Sequence, residues 1–587
     1  MNNFDIIRTI TSTRAARIRP GIYGSQRRDY GFTVDIPDNL PIVGIIDTGV
    51  GSIEPLRAAI TNISYDHTGM GQHWDESGHG TLVAGLVILG QEFLKNIKGS
   101  YTAKARVATL KVIHHNTDEI DIPRLLHDIR DAKNNYGIRL FNMSLNIPTV
   151  KQYNDAFSSF AFELDKLAHE LGILLFLSVG NISEERLREL TEQEPHVSHE
   201  YPNLFYCLNS NSEIHSCHST NIQEPAESLC NISVGALAGN LEGTTNHDLT
   251  PASEYPAYYT RKFHLDFTQP VNGTELKRNQ INKYLNKPDI VFEGGDLFNY
   301  DAGIEILRSP LADTEKFFGR SCGTSIATPL VTSMAAELLG TYPDLTVQSV
   351  KALLINSSQS SCGPNPPAFQ NYGINLLRKL SGFGRPTHDN LIFTDDNTIT
   401  FIVEDTIKVD EFNTIPIKLP AYISDTDNKL SFTLSLCYSF LPVKDNHLNY
   451  LPLHISFGIF KPLQASEMAD LNTERYRIKT GITWSDDFFG VENRLFSNTQ
   501  KLSFNLLAKD VRALGNEVSL AIRCTAKTEI PELHRQDLVG SDHPFSIAIT
   551  ISEIPTNKAN NTLFAQMMAD NIVENIGESE GEATIEV

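Results

Sequence analysis

Between residues 41 and about 385, short apolar runs rich in β-branched residues alternate with stretches of helical periodicity. PIVGIIDTGVG (41 to 51), ARVATLKVI (105 to 113), RLFNMSLN (139 to 146) and GILLFLSVGN (172 to 181) each read as a strand that is apolar on both faces. Between them, IPRLLHDIRDAKNNYG sets Ile122, Leu125, Leu126, Ile129 and Ala132 on one helical face, and Phe157, Phe160, Leu164, Leu167 and Leu171 mark a second helix. A strand buried on both faces needs helices above and below it, so the pattern predicts an α/β fold with a parallel sheet flanked by helices. Right-handed crossovers then bring every strand's carboxyl end to one rim, where α/β sheets gather their sites.

Three reactive side chains fall where that rim is expected. Asp47 ends the first run, and His79 lies between glycines in DESGHGTLVAGLVILG (75 to 90), at the start of a small-residue helix. Ser325 follows Gly319 and Gly323 in FFGRSCGTSIATPLVTSMAAELL (317 to 339) and opens another apolar helix, with Pro329 expected in its first turn, where a missing N–H costs little. Each residue alone reads as a turn or a cap. Together they are the set that acyl transfer needs: a weak hydroxyl nucleophile, a base to take its proton, and a carboxylate to hold the base in one tautomer.

DTG at Asp47, HGTLVAG at His79 and GTSIATP at Ser325, in that chain order, resemble the three signature blocks of subtilisin-like serine proteases, the subtilases. The resemblance implies a subtilisin-like peptidase domain over 41–386 and a serine endopeptidase in which Asp47 orients His79, His79 is the base and Ser325 the nucleophile. NMSLN resembles the family's segment that pairs with an extended substrate, which makes Ser144, Leu145 and Asn146 substrate-binding, although the family usually has glycine where this chain has Asn146. SVGN resembles the segment on the other side of the S1 pocket, contributing Ser178, Val179 and Gly180. It ends in Asn181, which the resemblance assigns as oxyanion donor, assisted by the backbone N–H of Ser325. Read without the resemblance, Asn181 is an N-cap before SEERLREL. Many subtilases bind calcium in a loop interrupting the histidine-bearing helix. Here that stretch is LGQEFLKNIKGSYTAK, short of the six to eight hard oxygens calcium takes, so neither a metal nor a cofactor is expected.

Residues 1–40 are polar, with a basic cluster of Arg14, Arg17, Arg19, Arg27 and Arg28, and read as an N-terminal surface arm or as the remnant of a pro-segment that plugs the cleft. Related subtilases often carry a large N-terminal domain, and 40 residues precede the sheet in this sequence. The stretch 182 to 260 is longer than the family norm. Its Cys207, His215, Cys217, His218 and Cys230 match no zinc spacing and are expected to be ordinary loop residues. ESLCNISVGAL (227 to 237) and NKPDIVFEGGDLF (286 to 298) resemble later sheet segments, and GFGRP (382 to 386) resembles the end of the domain. From 387 to 555, alternating runs such as TITFIVEDTIK, LSFTLSLCYSF and FSIAITISEI predict an antiparallel β-sandwich domain. The acidic tail 556–587 is expected to be disordered after a short helix at LFAQMMADNIV.

A chain of 587 residues has room for two or three domains at roughly 100 to 200 residues each. Its net charge of −22 argues against nucleic acid and anionic membrane as partners and leaves a protein or peptide substrate. No signal-like or membrane-spanning apolar run is present, and seven cysteines without CxxC pairing fit reduced thiols, so a cytoplasmic protein is expected. An intracellular subtilase domain joined to a β-sandwich is similar to bacterial subtilases encoded beside an AAA ATPase in anti-phage systems, which implies an AAA ATPase partner and a part in antiviral defence. The other reading is a regulated or inactive binding protein on a subtilase scaffold, favoured by Asn146 and the long 182 to 260 stretch.

Overall fold

A computed structural model describes residues 14–15, 23–24, 30–92, 99–113, 119–152, 155–183, 185, 201–208, 214–241, 250–263, 285–296, 300–309, 317–362, 366–370, 374–387, 391, 395–444, 450–463, 473–478, 481–484, 488–490, 494, 496–527 and 530–570. Most of the basic arm, residues 93–98 of the calcium-loop stretch, much of 182–260 and the end of the acidic tail lie outside the described residues. The chain divides into two compact units, one of residues 1–343 with 359–385 and the other of 344–358 with 386–587.

In the first unit, two residue pairs in strand geometry, β1 (Arg14–Ala15) and β2 (Tyr23–Gly24), precede β3 (Phe32–Asp35), β4 (Ile42–Asp47), β5 (Ile60–Asp66) and helix α1 (His79–Leu89). Next come β6 (Gly99–Thr102), β7 (Arg106–Lys111), β8 (Glu119–Ile120), α2 (Ile122–Tyr136), β9 (Leu140–Met143), β10 (Ile147–Val150), α3 (Ser159–Leu171) and β11 (Leu174–Ser178). The unit continues through β12 (Tyr206–Leu208), β13 (Ile214–Ser216), β14 (Gln223–Glu224), β15 (Ile232–Leu237), β16 (Ile290–Glu293), β17 (Ile304–Leu307), β18 (Phe318–Ser321) and α4 (Thr324–Thr341).

Seven of these strands form one parallel sheet in the order β16-β15-β11-β9-β4-β7-β5. Buried residues fill β4, β7, β9, β11 and β15 almost end to end, as the apolar runs require. The edge strand β5, ITNISYD, is half-exposed and carries Asn62 and Ser64, so no apolar run announces it. Helix ends follow local chemistry. Asp121 accepts the Arg124 N–H at 3.1 Å ahead of α2, Ser158 accepts the Ala161 N–H at 3.1 Å ahead of α3, and Gly137 and Gly172 end the two helices in left-handed geometry. Helix α1 is almost wholly apolar and fully buried, and α4, built of apolar and small polar residues, is nearly as buried; the two pack on each other, with α4 lying over β9, β11 and β15.

One expectation changes. Helix α4 starts at Thr324, so Pro329 is inside the helix and not in its first turn. A proline there leaves the carbonyl four residues back, that of Ser325, without its helical N–H. Ser144 Oγ donates to that carbonyl instead, at 3.4 Å.

Two strands of the N-terminal arm add to this unit. β1 runs antiparallel to β8, with Arg14 opposite Ile120 and Ala15 opposite Glu119, and also packs against β10, while β2 pairs antiparallel with β18.

The second unit contains helix α5 (Val347–Ser357), which the sequence reading includes in the first domain, and strands β19 (Thr398–Ile407), β20 (Phe412–Lys418), β21 (Lys429–Tyr438), β22 (Leu453–Phe460), β23 (Thr499–Leu507), β24 (Glu517–Ala526) and β25 (His543–Ile554). They form an antiparallel four-stranded sheet, β19-β25-β21-β23, and an antiparallel three-stranded one, β20-β24-β22. Helix α5 packs on β21 and β25, and Lys501 Nζ on β23 donates to its last carbonyls, Ile355 O at 2.9 Å and Asn356 O at 3.1 Å. No helix among the described residues is long and apolar enough to cross a membrane.

Candidate active site

Strand β4 lies mid-sheet and delivers Asp47 to the carboxyl-terminal rim, where His79 opens α1. His79 Nδ1 donates to Asp47 Oδ1 at 2.8 Å, and both side chains are buried. A carboxylate can only accept, so this contact fixes the neutral imidazole with its proton on Nδ1 and its lone pair on Nε2. The close approach depends on Gly80: a Cβ there would lie 1.9 Å from the Gly49 carbonyl oxygen, so any other residue would push α1 off the end of β4. Burial acts to lower the His79 pKa, but the charge and hydrogen bond of Asp47, joined by the charge of Asp75, outweigh it and hold the imidazole above the ordinary histidine value.

Asp75 is a residue that the sequence reading passes over. It is fully buried, and its Oδ1 accepts from Thr48 Oγ1 (2.8 Å), Ser77 Oγ (3.2 Å) and Gly78 N (3.0 Å), while Oδ2 accepts from Thr81 N (2.8 Å) and Thr81 Oγ1 (2.6 Å). The Thr48 N–H in turn donates to Asp47 Oδ1 at 2.8 Å. Asp75 thus ties the first turn of α1 to the loop after β4 and holds His79 against Asp47. Burial raises the Asp75 pKa, and the hydrogen bonds from Thr81 and Thr48 oppose this without cancelling it. The signal was available as a carboxylate four residues before the histidine, but a carboxylate in a polar loop has no distinguishing pattern. Lys111, opposite Asp47 in register, is also buried and donates to the Trp74 carbonyl, bracing the same loop.

Ser325 is the second residue of α4 and is buried, so its N–H belongs to the first turn, where no intrahelical acceptor exists. A polar chain supports it from below: Thr332 Oγ1 donates to Asn142 Oδ1 (2.9 Å), Asn142 Nδ2 to Ser144 Oγ (3.0 Å), and Ser144 Oγ to the Ser325 carbonyl. Asn181, at the end of the chain leaving β11, accepts on Oδ1 from Thr324 N at 2.9 Å and Thr324 Oγ1 at 3.1 Å. That pairing assigns the amide orientation and leaves Nδ2 as the end turned from Thr324. Arg261 Nε donates to the Asn181 carbonyl at 3.3 Å. Ser325 Oγ, His79 Nε2 and Asp47 Oδ2 are all buried and have no hydrogen-bond partner among the described residues, so the bond between the hydroxyl and the imidazole is not made in this structure.

The two segments expected to bind substrate, 144–146 after β9 and 178–180 after β11, both reach the rim beside Ser325. Much of the second is already engaged. Ser178 O accepts from Asn146 Nδ2 at 2.6 Å, Val179 N donates to Val234 O at 3.2 Å, and Val179 O accepts from Gln223 N at 3.2 Å. Residues 222–224 were not recognised from sequence as part of this region. They bond to Val179 of the second segment and to the strand that follows the first, β14 pairing antiparallel with β10 and Ile222 O accepting from Lys151 N at 3.0 Å. Of the zinc candidates, Cys217 and Cys230 are buried, and no group of three His, Cys, Asp or Glu among the described residues could hold a metal ion.

With this geometry in view, residues 38–384 match the family described as the subtilase family. The chain belongs to it. This subtilase is 24% identical over 414 residues to the uncharacterized protein y4bN of Sinorhizobium fredii, an alignment spanning 66% of this chain and 88% of that protein. Among solved structures it is similar to a lanthipeptide protease, at 16% identity and a TM-score of 0.36, covering 60% of this chain and 86% of the other. It is similar too to the epidermin leader peptide processing serine protease EpiP of Staphylococcus aureus, at 16% identity and a TM-score of 0.35, covering 60% of this chain and 76% of that one. The subtilase is thus a serine protease by family.

Proposed function

We propose that this subtilase is a cytoplasmic serine endopeptidase working through Asp47, His79, Ser325 and Asn181. The observation that carries the reading is the buried Asp47–His79 contact, with the imidazole's other nitrogen and the Ser325 hydroxyl both buried at the same rim and without partners among the described residues. In the reaction, Asp47 holds the Nδ1 proton of His79 and steadies the imidazolium to come. Nε2 takes the Ser325 proton as Oγ bonds to the carbonyl carbon of the peptide, and the electron pair displaced onto oxygen meets Asn181 Nδ2 and the Ser325 N–H. His79 then protonates the departing amine, and a water activated by the same imidazole hydrolyses the ester. The bond between the hydroxyl and the imidazole is to form as substrate arrives, since apo sites often leave catalytic hydrogen bonds open until then.

The substrate backbone is assigned to the first segment, Ser144 to Asn146, by strand addition. The second segment, with Ser178 O and both polar groups of Val179 already bonded, serves as a wall rather than as a pairing strand. Extended, unfolded polypeptide is the substrate class this requires.

The test is Ser325→Ala in the full chain. The wild-type protein is expected to hydrolyse a denatured protein and to be labelled by a fluorophosphonate, and the variant to do neither; hydrolysis persisting in the variant removes Ser325 from the mechanism. The resemblance to defence-associated subtilases adds an AAA ATPase partner that would deliver unfolded chain to the rim, and its co-purification with the native protein tests that part separately.

A further inference from the structure

We propose that Asn146, with Gln223 behind it, restricts the protease to substrates whose residue before the scissile bond, P1, is small: glycine, alanine or serine. This rests on the peptidase reading above and adds the substrate class. A carbonyl held between Ser325 and Asn181 directs the side chain on its α-carbon into the gap between the segments that follow β9 and β11. Those strands are hydrogen-bonded neighbours as far as Met143 and Leu177, so the gap opens from a spacing of only about 4.8 Å. Residues 222–224 close it on one side, through the pairing with β10 and the bond from Gln223 N to Val179 O.

Two side chains occupy what is left. Asn146 reaches across the gap and exchanges two hydrogen bonds with Ser178, Nδ2 to the Ser178 carbonyl at 2.6 Å and Ser178 Oγ to Asn146 Oδ1 at 2.7 Å, and both residues are buried. Gln223 lies against Gly180, its Oε1 only 2.4 Å from where a Cβ on that glycine would be, and Gly180 itself holds a left-handed φ of 91° that favours glycine. A large P1 side chain would have to break the Asn146–Ser178 pair and leave its amide and carbonyl unmatched beside an apolar group, whereas a methyl or hydroxymethyl group need not.

The experiment measures kcat/KM on peptides differing only at P1, carrying Ala, Leu or Phe, alongside cleavage-site mapping on a denatured protein mixture. The wild-type protein is expected to favour Ala over Phe by at least ~10-fold, and Asn146→Gly to raise the ratio of kcat/KM for the Phe peptide to that for the Ala peptide by ~10–200-fold. Wild-type protein that cleaves mainly after Leu or Phe overturns the proposal whatever the variants do, as does an Asn146→Gly protein that still labels with fluorophosphonate but keeps the wild-type P1 profile. Failure of the peptidase reading looks different: the wild-type protein would neither label nor hydrolyse any of the peptides.

Discussion

Replacing Asp75 by asparagine separates two effects that this carboxylate has on the site. The carbonyl end of the new amide can keep the three donors now on Oδ1, Thr48 Oγ1, Ser77 Oγ and Gly78 N. The amide nitrogen falls where Oδ2 now accepts from Thr81 Oγ1 and Thr81 N. The threonine hydroxyl can rotate, although it already accepts from Gly51 N at 2.8 Å, but the Thr81 N–H cannot turn and is left facing another donor. A buried donor without a partner costs about 1–3 kcal/mol. Removing a desolvated charge offsets part of this, because burial is what holds the Asp75 pKa up, so a net loss of about 1–2 kcal/mol is expected.

The second effect is electrostatic. Asp75 is one of the groups raising the His79 pKa, and the base must be neutral to accept the Ser325 proton, so activity is lost as pH falls through that pKa. Asp75→Asn is therefore expected to move the acid limb of kcat/KM to lower pH while lowering the urea concentration at which fluorophosphonate labelling disappears. An unchanged urea midpoint together with an acid limb that stays put or moves up would refute both the network and the sign of its field.

Asn181→Ala is expected to lower kcat by about 10²–10³-fold with little change in KM, the size of effect known for losing one oxyanion donor in a subtilisin; steady-state kinetics on one peptide distinguishes this from a loss of binding. Deleting residues 1–29 removes β1, which pairs with β8 and packs against β10 just beyond the Ser144–Asn146 segment, so kcat/KM on an extended peptide should rise and a peptide spanning residues 9–22 should inhibit the truncated protein competitively.

Local pattern alone was enough for the parallel sheet, the positions of Asp47, His79 and Ser325, and the antiparallel strands from Thr398 onward, because a strand buried on both faces, a strand with one wet face and a glycine-flanked turn each restrict residue type within a few positions. Other features involve partners far apart in the chain, and no window holds both. The edge strand β5 is recognised only by the neighbour it pairs with, since its own residues are as polar as a loop. The affiliation of α5 was hidden because a helix buried all round shows no face, and only its packing on β21 and β25 reveals which sheet it covers. Pro329 looked harmless by position, yet inside α4 it frees the Ser325 carbonyl for Ser144, 181 residues earlier in the chain. Asn146 was visible as an unusual residue, but its reach across to Ser178 and the pairing of residues 222–224 with β10 and Val179 exist only once three loops meet. Sequence by itself determined which chemical groups the rim would carry, because their types and their immediate neighbours are local properties. The space left between them for a substrate was decided only by the tertiary structure, because a gap is bounded by side chains that no stretch of sequence contains together.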